Sequence, residues 1–221
     1  MIQIENYMEN LIGKLRAKFG TRLCYVGLQG SYLRGEATEK SDIDVMLVLD
    51  GLMPEDMDAY REILMEMGHY DLSCGFICGL AELRNWNRLE LCHVLHTTKN
   101  YYGSLADLIP AYSREDVRQY TLMSLNNLYH ALCHTYVHAG KEACWAGLTG
   151  MYKSAFFILQ SIHYLNHGEY AATKQELLKN LKGPDRQILE NSMLLASGRK
   201  VNADEAFRLL FQWFQQKMQQ I

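Results

Sequence analysis

Seven residues, Ile43 to Leu49 (IDVMLVL), constrain this chain more tightly than any other stretch. Apart from Asp44, the run is apolar at odd and even positions alike. A strand made from it must be covered on both faces and so belongs inside a sheet, not at its edge. Asp50-Gly51 closes it with turn chemistry. Asp42 and Asp44 stand two residues apart at its head, and the two-residue period of a strand projects both carboxylates from one face. Side by side they repel, and without a cation the arrangement costs free energy. An Asp-x-Asp at a strand start is by itself a common structural feature, so its neighbours have to decide whether it means more.

The sequence around this strand has two textures. Up to about residue 108, short β-rich runs alternate with helical stretches; from about 113 onward the pattern is helical throughout. Met8, Leu11, Ile12 and Leu15 recur at helical spacing and predict a helix over Ile4 to Phe19. Leu23 to Leu28 reads as a buried strand ending at Gly30. Pro54 to Gly68 reads as a helix, with Pro at its start and Gly at its end. Asp71 to Cys78 is a third strand candidate, and a fourth is expected within Leu91 to His96. In the second half, Ser113 can cap a helix bearing Leu125, Leu128, Leu132 and Tyr136. Met151 to Asn166 reads as a second helix. Thr173 with Glu176, and Asn202 with Glu205, have capping-box spacing, and the helix after Thr173 should stop at Gly183, with Pro184 starting the next. The expected architecture is α+β: a mixed-sheet domain over residues 1–110, then an all-α antiparallel bundle over 111–221.

Composition narrows the function classes. With 48% hydrophobic and 21% charged residues the chain has ample apolar surface for a core. Its net charge of -3 and the lack of a basic stripe argue against a long nucleic acid as substrate, because Lys and Arg contacts to phosphate normally supply that affinity. No apolar run approaches membrane-spanning length, and the N-terminus does not have the pattern of a signal peptide. The six cysteines are scattered, with no CxxC pair, as expected of reduced thiols in a cytoplasmic protein; Cys74 and Cys78 are expected to pack in the core.

Ahead of the central strand lies Gly30-Ser31, then ten residues, then Asp42-Ile43-Asp44, within GLQGSYLRGEATEKSDIDVMLVLD. A glycine after a strand lets backbone approach a phosphate closely, and exposed N–H groups with a serine hydroxyl can hold it. Two adjacent carboxylates suit Mg²⁺, which binds through one or two carboxylates plus substrate phosphate oxygens, and a pair of ions can clamp an in-line displacement. A Gly-Ser alone says little. The conjunction of strand, Gly-Ser, spacer, Asp-x-Asp and apolar strand is far more specific.

This stretch resembles the core signature of the DNA polymerase beta nucleotidyltransferase superfamily. It is similar to the small bacterial branch that includes aminoglycoside and lincosamide nucleotidyltransferases and minimal nucleotidyltransferase antitoxins, in which a helical bundle follows the catalytic domain. The resemblance implies a Mg²⁺-dependent enzyme, with two ions, that moves a nucleoside monophosphate from an NTP to a hydroxyl of a small-molecule acceptor. AMP transfer onto a protein, or a degenerate nucleotide-binding module, are the alternatives; a homodimer is compatible with either. Gly30 and Ser31 would hold the triphosphate, and Asp42 and Asp44 the metal. Arg34 would contact phosphate or brace the loop. The family's third carboxylate falls provisionally to Asp71, with Glu82 and Glu90 as further candidates and His93 or His96 as replacement bases. Lys153, near the start of an apolar helix, is assigned to the nucleotide phosphates, the alternative being a snorkelling surface lysine. Tyr129, Trp145, Tyr152 and Tyr164 could wall an acceptor pocket beside it.

Two patterns are discounted. His130, His134 and His138, like His163 and His167, are spaced one helical turn apart but lack the HExxH context of a zinc site. The only Arg and His at HEPN-ribonuclease spacing, Arg88 and His93, lie in the wrong half of the chain.

Overall fold

The computed structural model describes residues 2–221 and divides the chain into two compact units, one ending at Ala111 and the next running from Tyr112 to Ile221. In the first, α1 (Ile4–Phe19) leads through a 3-10 turn into β1 (Leu23–Leu28), the single-turn α2 (Gly30–Leu33) and β2 (Ile43–Leu49). Then follow α3 (Pro54–Met67), β3 (Ser73–Gly79), α4 (Leu80–Arg84), α5 (Arg88–His96) and β4 (Lys99–Tyr102). The sheet order is β3-β2-β1-β4, with β1 antiparallel to both β2 and β4, and β2 parallel to β3.

The two-faced apolarity of β2 is used in full. Ile43, Val45, Leu47 and Leu49 point into a core shared with Met8, Leu11 and Leu15 of α1 and Ala59 and Ile63 of α3. Met46 and Val48 point the other way, into a second cluster with Tyr25, Cys78 and Leu83, against which Val94 and Leu95 pack. Asp44 therefore lies on the face served by α4 and α5.

Two expectations about strands need correction. Leu91 to His96 is not a strand but lies within α5, where the Asn87 side chain caps the helix by accepting from the Leu89 N–H at 3.1 Å. A short apolar run fits either period, and here Leu91, Val94 and Leu95 make one helical stripe. The fourth strand is instead the polar edge segment Lys99–Tyr102, which carries little apolar signal. β3 also starts later than expected, since Asp71 sits in a 3-10 turn, Tyr70–Leu72, ahead of it.

The second unit consists of α6 (Arg114–His138), α7 (Lys141–His167), α8 (Lys174–Asn180), α9 (Gly183–Ala196) and α10 (Ala203–Gln220). Ser113 and Thr173 cap α6 and α8 with reciprocal boxes, and Asn202 accepts from Asp204 and Glu205 N–H at the head of α10. α8 ends before Gly183, which opens α9 together with Pro184. α7 begins well before Met151, because Cys144 and Leu148 are buried with Leu125 and Leu132 of α6. Trp213 and Phe214 complete the core, and Asp185 accepts from both Trp213 Nε1 (2.7 Å) and Lys217 Nζ (2.8 Å), so α9 and α10 are joined by a largely buried polar contact.

Gly75 shows how tightly β2 and β3 are paired. Its φ is +129°, and a Cβ there would run into the backbone of Val45, its register partner. Gly75→Ala should therefore destabilise the chain by about 2 kcal/mol, from strain and a loosened pairing; a denaturant midpoint equal to the parent's would refute this.

Candidate active site

The site is built where β1 hands over to α2. Gln29 N–H donates to Asp44 O at 2.8 Å, which ties the end of β1 to the head of β2. The next residue, Gly30, has φ +69°, and a Cβ on it would overlap the Asp44 carboxylate. Only glycine fits there, on both counts. The phosphate-type loop and the acidic pair are thus in direct contact, with the half-buried Ser31 next in line. The loop closes through Arg34 N–H to Gly30 O (3.3 Å) and Glu36 N–H to Ser31 O (2.9 Å). Arg34 Nε donates to Glu36 Oε2 at 3.1 Å, with both side chains largely buried, so Arg34 braces the loop. Ser41 Oγ accepts from Thr38 N–H at 2.8 Å and shapes the turn into Asp42.

Asp42 is exposed just ahead of β2, and Asp44 is half-buried as its second residue. The register partner of Asp44 on β3 is Cys74. This cysteine, expected to be core, is exposed, unlike the buried Cys78. Its thiol is pushed up by burial of the sulfur and by the negative charge of Asp44 and Asp42, so it looks onto both carboxylates. The pairing register, unreadable in the sequence, is what brings it there. Asp71 is exposed in the turn leading to β3. No group of three His, Cys, Asp or Glu side chains is arranged to hold a metal ion among the described residues. Glu82 is associated with Gly79, at the far end of β3, and Glu90 accepts from Trp86 Nε1 at 2.7 Å.

α5 borders the loop. The His93 imidazole is held down to about 4, first by burial, then by the positive charge of Arg34 and His96, and burial also lowers His96. His93 is therefore a neutral acceptor near neutral pH. Gln29 Nε2 donates to Thr98 Oγ1 at 2.8 Å, fixing the segment after α5 to the same corner.

In the second unit, Lys153 is exposed on α7. Its neighbour Tyr152, expected to line a ligand pocket, is instead fully buried in the bundle core, where its hydroxyl donates to Ala206 O at 2.9 Å. Tyr129 packs on Phe211 with ring centroids 5.5 Å apart. His130, His134 and His138 form an exposed stripe on α6, with centroids 5.7 and 4.6 Å apart.

Two outcomes follow for solution measurements. Alkylation of the native chain should mark Cys74 first among the six cysteines and speed up toward high pH, since its thiol lies above the ordinary value; earlier labelling of Cys24 or Cys133, read by mass spectrometry, would contradict this placement. Burial of neutral His93 has a signed consequence. The unfolded chain takes up a proton below about 6.5, while the folded one resists until about 4, so this contribution to stability is complete above 6.5 and is lost as pH falls toward 4. Denaturant unfolding at stepped pH should show that decline, with a shallower slope in His93→Gln.

Residues 8–92 match the family model described as a nucleotidyltransferase domain. Two relatives from Methanocaldococcus jannaschii, both named "putative protein adenylyltransferase", are 33% identical to this chain over 66 and 64 residues. These matches cover 28% and 29% of this chain and span 45% and 64% of the relatives' lengths. The crystal structure of the spectinomycin adenyltransferase AAD(9) from Enterococcus faecialis, with ATP and spectinomycin, aligns with a TM-score of 0.59 at 15% identity, covering 96% of this chain and 99% of that one. At that identity the likeness speaks for the fold. The glycine loop seated on an acidic strand head thus lies within the stretch, residues 8–92, that resembles a nucleotidyltransferase domain.

Proposed function

We propose that the protein is a Mg²⁺-dependent nucleotidyltransferase acting on an NTP and a hydroxyl acceptor. The observation that carries this reading is the seating of Gly30 against the Asp44 carboxylate, so close that no Cβ fits between them, which sets the Gly-Ser loop directly beside the acidic strand head. Asp42 and Asp44 offer hard oxygen donors that fit Mg²⁺. When bound, the ion supplies charge neutralisation on the phosphates. Ser31 and the loop N–H groups hold the β- and γ-phosphates, and Arg34, engaged by Glu36, keeps the loop in shape. The acceptor oxygen bonds to the α-phosphorus, the bond from that phosphorus to the bridging oxygen of pyrophosphate breaks, and the acceptor proton passes to a base. Asp71 stays the provisional carboxylate for that role, with neutral His93 as its competitor. Lys153 is assigned to the phosphates of the nucleotide.

A small hydroxylated molecule is the preferred acceptor; the names of the two archaeal relatives favour protein as the second class. A degenerate, binding-only module is the rival reading, and it is favoured by the thiol of Cys74 at the strand position beside Asp44. No helix among the described residues is long and apolar enough to cross a membrane, and all six cysteines are free thiols, which suits the cytoplasm.

The decisive experiment incubates the chain with Mg²⁺ and each labelled NTP against panels of hydroxylated small molecules and of proteins. Label on the small molecules supports the first reading, label on protein the second, and nucleotide binding without transfer the third. Asp42→Asn and Asp44→Asn should each lower transfer by at least about 10³-fold, with no fall in melting temperature, because removing one charge relieves repulsion. A lower melting temperature with unchanged activity would make them structural residues. Lys153→Met keeps the apolar stem and deletes the charge; a loss of about 10²–10³ in kcat is expected, and wild-type turnover would return Lys153 to the solvated surface. Mg²⁺ with NTP should also shield Cys74 from alkylation, a readout that needs no acceptor.

A further inference from the structure

The described residues include six large apolar side chains that are exposed, and four of them fall between positions 53 and 70: Met53 (56% exposed), Met57 (46%), Met65 (57%) and Tyr70 (41%). Met57, Arg61 and Met65 recur every four residues along α3, with Met53 at its N-cap one turn earlier. Such a series drifts only slowly around a helix and makes a single ridge. It is distinct from the face of α3 that carries Ala59 and Ile63, which is buried in the core shared with α1. Arg61 Nε donates to the Tyr70 hydroxyl at 3.0 Å, and its guanidinium lies 6.0 Å from the ring centroid. That contact holds the tyrosine ring as a continuation of the ridge past the helix end.

The charge beside the ridge has one sign. α3 carries Glu55, Asp56, Asp58, Glu62 and Glu66 against the single cation Arg61. Asp56 is engaged by Arg22 and Glu66 by Lys14, whereas Glu55, Asp58 and Glu62 are exposed. Exposed apolar surface concentrated on one element marks an interaction site. Methionines make such a surface adaptable, because an unbranched thioether can repack against differently shaped partners.

We infer that α3 is the docking ridge for a basic amphipathic helix of a partner protein. The partner's apolar face lies along Met53, Met57 and Met65, and its Lys and Arg residues reach Glu55, Asp58 and Glu62. Charge selects this occupant. A second copy of the ridge would set acid against acid, and a nucleic acid or an anionic lipid surface would meet repulsion. Tyr70 lies in the turn ahead of β3, which runs parallel to β2, so the ridge finishes at the end of the sheet where both strands begin. The inference does not depend on nucleotidyl transfer, since binding is measured directly, in the parent and in Asp44→Asn alike.

The test uses the full chain and a fluorescent synthetic helix of Leu and Lys, with leucines on one face and lysines on the other, followed by anisotropy. Binding in the micromolar range is expected, weakening as salt rises. Met57→Ser combined with Met65→Ser should weaken it at least tenfold while leaving the melting temperature unchanged, because both side chains are exposed. Glu55→Gln combined with Glu62→Gln should flatten the salt dependence. The proposal is overturned if the methionine variant binds like the parent, or if a peptide of equal charge with scattered leucines binds equally well. It is overturned in favour of self-association if the parent is a dimer in solution and the methionine variant is a monomer.

Discussion

Everything in the first unit hangs on β2 being buried on both faces. Because Ile43, Val45, Leu47 and Leu49 are claimed by α1 and α3 while Met46 and Val48 are claimed by the α4 and α5 side, the strand has no freedom to slide. A shift by one residue would exchange the two sets and turn Asp44 into the α1–α3 core. The hydrophobic effect thus holds the carboxylates in place although it does not act on them. Parallel pairing with β3 and antiparallel pairing with β1 then set the immediate neighbours of Asp44, namely Cys74 on one side and the Gly30 loop on the other.

Against this rigid frame the acidic head is an electrostatic debt. Asp42 and Asp44 share one end of a strand, and the guanidinium of the neighbouring loop, Arg34, is engaged by Glu36. The contrast with Asp56 and Asp185 is instructive: those carboxylates are met by Arg22 and Lys217. Those two carboxylates are each met by a cation, whereas the carboxylate of Asp44 lies against the Cys74 thiol and the glycine loop. Hard oxygen donors beside a glycine loop are the chemistry that the proposed cation and polyphosphate need.

The helical unit is organised by different means. Its core is continuous from Leu125 to Phe214, and its helix starts are set by local side-chain caps at Ser113, Thr173 and Asn202. Tyr152 illustrates how packing absorbs a residue with functional chemistry. Its phenol is used up between Ala206 and Asn191, and burial pushes its hydroxyl up to about 12, which leaves it no role as an acid or base near neutral pH.

The sequence by itself determined what depends on local pattern. The central strand was legible because both its faces are apolar, α1 because of its 3.6-residue period, and the bundle's helix starts because caps are short-range hydrogen bonds. The Gly-Ser and Asp-x-Asp elements were legible for the same reason, as each is a few residues long and chemically distinctive. Only the tertiary structure decided what depends on pairing between distant segments. It made Leu91 to His96 a helix and gave the edge strand to Lys99–Tyr102, because a short apolar run carries no period long enough to choose. It put a thiol, Cys74, in register with Asp44, and left Asp71 in the turn before β3, because strand register is fixed by packing across the sheet. And it seated Gly30 against the Asp44 carboxylate, a contact that no spacing along the chain can reveal, since it exists only once β1 and β2 are hydrogen-bonded side by side.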